Sequence, residues 1–343
     1  MKDNEWDNLL SVIDGKVMTP LPVGFYYDST WIPFKANIDM LDYYMDDELW
    51  FNINLDICEE FKDAMFFPGF FSEYGMCSEP SAFGARCSFP QNDFPFPKKC
   101  IYTVDQIDHI QTPNPVTDGL GPLMLNRLKR KQEKIQNAGH KIRFSVSRGP
   151  LNIASFLMGT TEFFTEMVVN SNQIHKLLET ITDYLIQWHK LQMQTFDTID
   201  GMYVLDDLIG FIGEEHFKEF CYPYYKELYN FDVSVKFLHN DADCRVSAPY
   251  LPDWGVNLFN MGFSIPLNEL QTLTKNKVTL LGNVPPRDVV ELGTPRQVKA
   301  AVHSLIDSLE NKSRIILSMG GGIPPKVKNE NLHAFIQAAK ERT

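Results

Sequence analysis

The sequence predicts an α/β fold of the (β/α)8 TIM barrel type, with a long loop insertion over the barrel mouth. Short apolar runs alternate with helical patterns along almost the whole chain, which implies a parallel sheet with helices outside it. The strand-like runs, near residues 21, 50, 142, 202, 234, 256, 278 and 315, make up the set of eight that such a barrel needs. No Gly-x-Gly-x-x-Gly pattern opens any helix, so an open dinucleotide-binding sheet has no support. With 343 residues, 44% hydrophobic and 22% charged, the chain is long enough for one barrel, and 1–343 reads as a single domain.

The elements follow in order. A helical segment from Trp6 to Asp14 closes at Gly15, and a strand from Leu21 to Tyr27 ends on Asp28. Residues Ile38 to Glu48 have a helical pattern, and the apolar run Leu49 to Leu55 is expected to be a strand that ends on Asp56. Between Phe66 and Cys100 the pattern dissolves into Phe, Pro, Gly and Cys, the composition of a binding loop, with Glu79 a candidate ligand or acid. Leu123 to Ala138 is a polar helix closed by Gly139. Strands are then expected at Lys141 to Ser147, Gly201 to Leu205, Val233 onward, Gly255 to Asn260, Lys277 to Leu281 and Arg314 to Leu317. Helices lie between them, at Leu151 to Met158, Thr161 to Asn170, Asn172 to Phe196, Glu214 to Tyr229 with a break near Pro223, Pro286 to Leu292, Pro295 to Leu309 and Asn329 to Lys340.

The centre of the reading is Val233 to Asp243, an apolar strand whose C-terminal end carries His239, Asp241 and Asp243. A neutral imidazole and a carboxylate two residues apart converge on one cation or share a proton, and the plainer alternative is a capped strand end. In a parallel barrel the active site sits at the C-terminal strand ends. That rule selects Asp28, Asp56, Arg148, Asp206, Asp207, His239, Asp241, Asn260, Asn283 and the turn Ser318 to Pro324. Carboxylates with one histidine and few cations suit a metal or proton-transfer site better than a polyanion pocket. The net charge of −12 and the lack of a Lys/Arg block argue against nucleic-acid or anionic-membrane surfaces. Six cysteines without a Cys-x-x-Cys pair, an acidic N-terminus and no apolar run near the roughly 20 residues of a membrane span lead to the expectation of a reduced, cytoplasmic protein.

An ordered set of short motifs completes the picture: Ser147 to Pro150, Asp206–Asp207, Phe217 with Pro223, Lys236 to His239, Leu281 to Pro286, Gly293 to Pro295, Gly320 to Pro324, and Glu330 with Asn331. Together they resemble the uroporphyrinogen decarboxylase superfamily over about Trp6 to Lys340. The resemblance implies a (β/α)8 barrel from one of two branches, cofactor-free decarboxylases of the heme pathway or zinc-dependent methyltransferases that exchange methyl groups with a corrinoid protein. The decarboxylases carry an N-terminal Arg-Gln-Ala-Gly-Arg motif where this chain reads Gly24 to Asp28, and a histidine in the last glycine turn where it has Gly321. Asp56 is the stand-in for their aspartate.

The methyltransferase zinc motif is similar to His-x-Cys followed by a cysteine in that last turn, positions held here by His239, Asp241 and Gly321. The resemblance therefore implies zinc on His239 and Asp241, with a third ligand from Glu79, Asp206, Asp207 or Cys244 and with Asp207 as candidate base. Tyr26, Asp56, Arg148, Asn283 and Gly321 are the expected substrate contacts, under an aromatic roof that includes Trp31 and Phe70. The implied reaction moves a methyl group between a small methylated substrate and a separate corrinoid protein. Decarboxylation of a porphyrin or smaller acid, and an inert barrel used for binding, are the alternatives. The decarboxylase branch also implies a homodimer paired through the barrel mouth.

Overall fold

A computed structural model of the chain describes residues 1–342. Its ten strands are β1 (Gly24–Tyr26), β2 (Met65–Phe67), β3 (Arg86–Ser88), β4 (Phe96–Lys98), β5 (Phe144–Arg148), β6 (Gly201–Leu205), β7 (Val235–Asn240), β8 (Leu258–Met261), β9 (Thr279–Val284) and β10 (Ile315–Met319). Strands β5 to β10 form one parallel sheet in sequence order, β1 pairs with β2 in parallel, and β3 and β4 form a small antiparallel hairpin in the insertion loop. The two parallel sheets are joined where Leu317 N–H donates to Pro22 O at 2.9 Å and Ile323 N–H donates to Tyr26 O at 3.1 Å. Eight parallel strands thus run round the barrel in the order β2, β1, β10, β9, β8, β7, β6, β5.

No ladder joins β2 to β5 among the described residues. A free strand edge leaves backbone groups that must find other partners. At Val146, in the middle of β5, those partners are side chains of the long helix Ser171–Thr195. Gln192 accepts from Val146 N–H at 2.9 Å and donates to Val146 O at 3.1 Å, and Trp188 Nε1 donates to the same carbonyl at 3.0 Å. One turn away, His189 bridges Ser145 Oγ and Ser147 Oγ, each at 2.8 Å. The insertion between β2 and β5 leaves and returns at this seam.

One expected strand is wrong, and its loss moves a candidate. Residues Asp47–Glu60 are a helix, capped by Asp46, whose carboxylate accepts from Glu48 N–H at 2.8 Å and Leu49 N–H at 3.0 Å. The buried set Trp50, Phe51, Ile53, Asn54 and Ile57 repeats with helical spacing, so the apolar run Leu49 to Leu55 covers one helix face rather than both faces of a strand. The second barrel strand is the three-residue β2 instead. The expected helix Ile38 to Glu48 is split at the extended Asp46 into Met40–Met45 and the start of Asp47–Glu60, and the other expected helices fall in place, including the pair Glu214–Phe220 and Tyr222–Leu228 that meet just before Pro223.

Inside the barrel the period of two along each strand sorts the chemistry. On β7, Val235, Phe237 and His239 alternate with Lys236 and Leu238, and the buried inner cluster contains Phe67, Phe144, Val146, Tyr203, Val235, Phe237, Leu258, Leu281 and Ile316. Phe237 packs on Phe67 at 5.7 Å, on Phe144 at 6.3 Å and on Tyr203 at 4.3 Å between ring centroids. Tyr203 then meets Tyr26 at 5.6 Å, and Tyr26 meets the His239 ring at 4.6 Å. A close-packed aromatic column therefore fills the barrel up to the level of His239.

Two predictions follow from the seam. Replacing Gln192 with Leu leaves the Val146 N–H without its partner, while Trp188 still serves the carbonyl, and urea denaturation is expected to show a loss of about 1–3 kcal/mol. Burial holds the His189 imidazole down at about 3, against an ordinary 6.5. Its folded-state value is depressed, so its contribution to stability is present above pH 6.5 and is lost as pH falls towards 3. The His189→Gln variant is expected to show a flatter stability profile between pH 6.5 and 3 than the wild type.

Candidate functional site

The mouth of the barrel brings Asp207, His239 and Asp241 together, with one ligand atom from each lying within 4.8 Å of the others. His239 ends the inward-facing series of β7. Its Nδ1 lies 2.7 Å from Asn260 Oδ1 on the neighbouring β8. The Asn260 amide is oriented by its own donors, which reach Leu281 O at 2.7 Å and Met319 O at 3.3 Å. The oxygen is therefore the atom turned to His239, and it can only accept, so Nδ1 carries the proton. In the neutral ring this leaves the Nε2 lone pair free, 3.8 Å from Asp207 Oδ1.

Asp207 follows β6 and accepts from Asp241 N–H at 3.1 Å, which ties the β6 and β7 loops together. The Asp241 carboxylate stands at the solvent-exposed rim, and partial desolvation, then the neighbouring Asp207 carboxylate, raise it above the ordinary range. Gly321 in the turn after β10 has φ +103°, and a Cβ built there would lie 3.1 Å from Asp241 Oδ2. The two positions that the methyltransferase resemblance pairs as thiolates are thus neighbours in space, here as a carboxylate and a bare backbone.

The other candidate ligands lie elsewhere. Asp206 is fully buried and accepts from Leu151 N–H at 2.9 Å, Asn152 N–H at 3.0 Å, Leu208 N–H at 3.1 Å and the Tyr225 hydroxyl. It caps the helix Pro150–Met158, and burial pushes its carboxyl up to about 7 against the pull of those donors. A Cβ on Gly149 would meet Asp206 Oδ2 and the Tyr225 hydroxyl at 2.4 Å, which explains the glycine of Ser147 to Pro150. Burial pushes the Cys244 thiol up to about 12, and it stands outside the carboxylate–imidazole group, as does Glu79.

Of the expected substrate contacts, Tyr26 and Arg148 are at the mouth. Tyr26 donates its hydroxyl to Asp28 Oδ2 at 2.8 Å, and Arg148 donates from Nη2 to Gly75 O at 3.1 Å. Asn283 commits its amide donors to Ile265 O at 2.7 Å and Gly262 O at 3.3 Å, so it pins the loop after β8. Asp56 is exposed on the helix Asp47–Glu60, far from any strand end in sequence terms, and the premise for its role is gone. Trp31 and Phe70 are buried in the outer hydrophobic core, where Trp31 stacks on Phe66 and Phe70 packs on Phe51, so they roof nothing.

Glu73 is not among the strand-end residues selected from the sequence. It lies in the loop after β2 and lines a chamber with Tyr26, Asp28, Phe71, Glu79 and Arg148. Burial, then the Asp28 charge, raise its carboxyl above the ordinary range. Had β2 been placed at Met65–Phe67, the strand-end rule would have pointed to the carboxylates that follow it.

Residues 4–342 match the family model described as uroporphyrinogen decarboxylase. The chain belongs to the uroporphyrinogen decarboxylase family. A curated uroporphyrinogen decarboxylase from Chlorobium luteolum is 25% identical over 179 residues, 49% of each chain, so the match spans about half the length of that relative. The enzyme of the same name from Chloroherpeton thalassium is 22% identical over 77% of this chain and 76% of its own. A methylated-thiol–coenzyme M methyltransferase from Methanosarcina mazei is 23% identical over 56% of this chain and 51% of its own. Among solved structures, a methyltransferase from Methanosarcina mazei superposes with a TM-score of 0.81 over 97% of both chains at 18% identity, which shows the shared barrel fold. No helix among the described residues is long and apolar enough to cross a membrane.

The tautomer assignment has a direct check. In metal-free wild-type protein, nitrogen NMR of His239 is expected to show a single neutral tautomer protonated at Nδ1. In Asn260→Leu the acceptor is gone, and a mixture of tautomers is expected.

Proposed function

We propose that this chain is a zinc-dependent methyltransferase, moving a methyl group between a small methylated substrate and a separate corrinoid protein. The observation that carries this reading is the convergence of Asp207 and Asp241 on the free Nε2 of His239. One neutral imidazole and two carboxylates form a donor set that zinc accepts, and three protein ligands leave the open position of a catalytic site. Asp207 is the third ligand in this reading. Zinc bound there would supply Lewis acidity towards the heteroatom that carries the methyl group. The relative from Methanosarcina mazei named as a methylated-thiol–coenzyme M methyltransferase supports the same reaction class.

The chain's own residues do the positioning. Asn260 holds the imidazole with Nε2 towards the two carboxylates, and the bond from Asp241 N–H to the Asp207 carboxylate ties the two loops that carry them. Tyr26 closes the barrel beneath them and excludes water from the floor. Cofactor-free decarboxylation of a porphyrin fits less well, because a polyanion would meet a mouth where Asp28, Glu73, Glu79, Asp207 and Asp241 face one buried-in guanidinium, Arg148.

Elemental analysis of protein purified without an affinity tag is expected to find stoichiometric zinc in the wild type and none in His239→Ala. Asn260→Leu is expected to bind zinc about 10–100-fold more weakly, the usual effect of removing a ligand's hydrogen-bond partner. A wild type that takes up no metal after incubation with zinc would overturn the assignment.

A further inference from the structure

The insertion between β2 and β5 holds two cysteines for which the metal reading has no task. Cys77 is fully buried two residues before Glu79, and Cys87 is half-buried in the middle of β3. Local bonds fold the segment between them back on itself: Gly84 N–H donates to Ser81 O at 3.1 Å and Ala85 N–H to Pro80 O at 3.2 Å. Both ends then dock on one short stretch, since Met76 N–H donates to Pro95 O at 3.0 Å and Cys87 pairs with Pro97 in the hairpin. The Cys87 thiol is brought to 3.9 Å from Cys77 O and 3.6 Å from Ala85 O. The two thiols also hydrogen-bond with each other, which lowers Cys87 from its ordinary value, while the same bond and then burial raise Cys77. Burial raises the other four, Cys58, Cys100, Cys221 and Cys244. The thiolate is the reactive form, so Cys87, lowered and within reach of solvent, is the one that reacts first.

We infer that Cys77 and Cys87 are a peroxide-responsive pair whose disulfide locks the inner loop of the insertion against the end of β5. The Cys87 thiolate attacks one oxygen of a hydroperoxide, the O–O bond breaks, and the departing oxygen takes a proton from solvent and leaves as water. The Cys77 sulfur then attacks the Cys87 sulfenic acid; the S–O bond breaks, and the hydroxyl leaves as water with the Cys77 proton. Two thiols are oxidised to one disulfide, and one hydrogen peroxide is reduced to two waters. The ring so closed spans ten positions and contains both clasps of the loop. Glu79 accepts from Arg148 N–H, the last residue of β5, at 3.0 Å, and the Ser81 hydroxyl accepts from Leu120 N–H at 2.9 Å. A cross-link removes open conformations of the ring, so both clasps let go less often. Neither sulfur belongs to the group of Asp207, His239 and Asp241, and the inference stands apart from the methyltransferase reading.

Brief treatment of the full chain with a small excess of hydrogen peroxide, followed by alkylation and peptide mapping, tests it. Two of the six thiols are expected to be lost and to return with dithiothreitol. Trypsin cuts after Arg86, between the two cysteines, so the bond is expected as a linked pair of peptides that reduction separates. In Cys77→Ser the second sulfur is gone, and Cys87 is expected to stay as a sulfenic acid that dimedone traps, an adduct the wild type does not accumulate. Hydrogen exchange across residues 77–87 is expected to slow at least about tenfold in the linked wild type. Loss of thiols without the linked peptides, oxidation of another cysteine before Cys87, or unchanged exchange in the linked protein overturns the inference. If Cys77→Ser fails to fold, the map and the exchange of the wild type still decide.

Discussion

The imidazole of His239 rests on a column of aromatic rings, and most of the site depends on that contact. Because β-strand side chains alternate, β7 can present Val235, Phe237 and His239 to the barrel axis and keep Leu238 for the helices outside. Phe67, Phe144, Phe237, Tyr203 and Tyr26 fill the axis from below. Close-packed rings leave the imidazole little freedom to tilt, so its single hydrogen bond to Asn260 Oδ1 suffices to fix which nitrogen faces the mouth. Removing the column would loosen the geometry of Asp207, His239 and Asp241 without touching any of the three.

Two of the sequence motifs acquire a mechanical meaning in this frame. Ser147 to Pro150 starts a helix whose first free amides point at Asp206, and Gly149 is small because the carboxylate and Tyr225 occupy the space of a side chain. Asn331, in the last helix, donates to Val290 O at 2.8 Å and Gly293 O at 2.9 Å, which locks the Gly293 to Pro295 turn to the end of the chain. Neither motif touches the group of Asp207, His239 and Asp241. They fix the strand ends from which it is built.

Much of this was legible in the sequence. Long stretches where apolar runs and helices alternate, from Lys141 to Lys340, gave element types that the structure repeats, and the rule that function gathers at strand ends selected Arg148, Asp207, His239, Asp241 and Asn260. The first hundred residues were harder. Leu49 to Leu55 is apolar enough to pass for a strand, and its helical nature shows only in which positions are buried and in the cap at Asp46. The real β2 has three residues, too few to display a period, so Asp56 was favoured and Glu73 overlooked. The convergence of Glu79 and Arg148, 69 positions apart, is a tertiary fact with no local signature.

The group at the mouth contains one imidazole and two carboxylates, with a bare glycine where the resemblance has a second sulfur. None of these side chains has an atom that peroxide or a disulfide can readily oxidise, whereas a thiolate at either position would climb towards sulfenic and sulfinic acids. The cysteines nearest in sequence are sequestered, Cys244 by burial and Cys221 in the core. A barrel mouth of this composition is therefore chemically indifferent to air, and Asp207, His239 and Asp241 keep their donor atoms through swings in redox state that would oxidise thiolates in the same places.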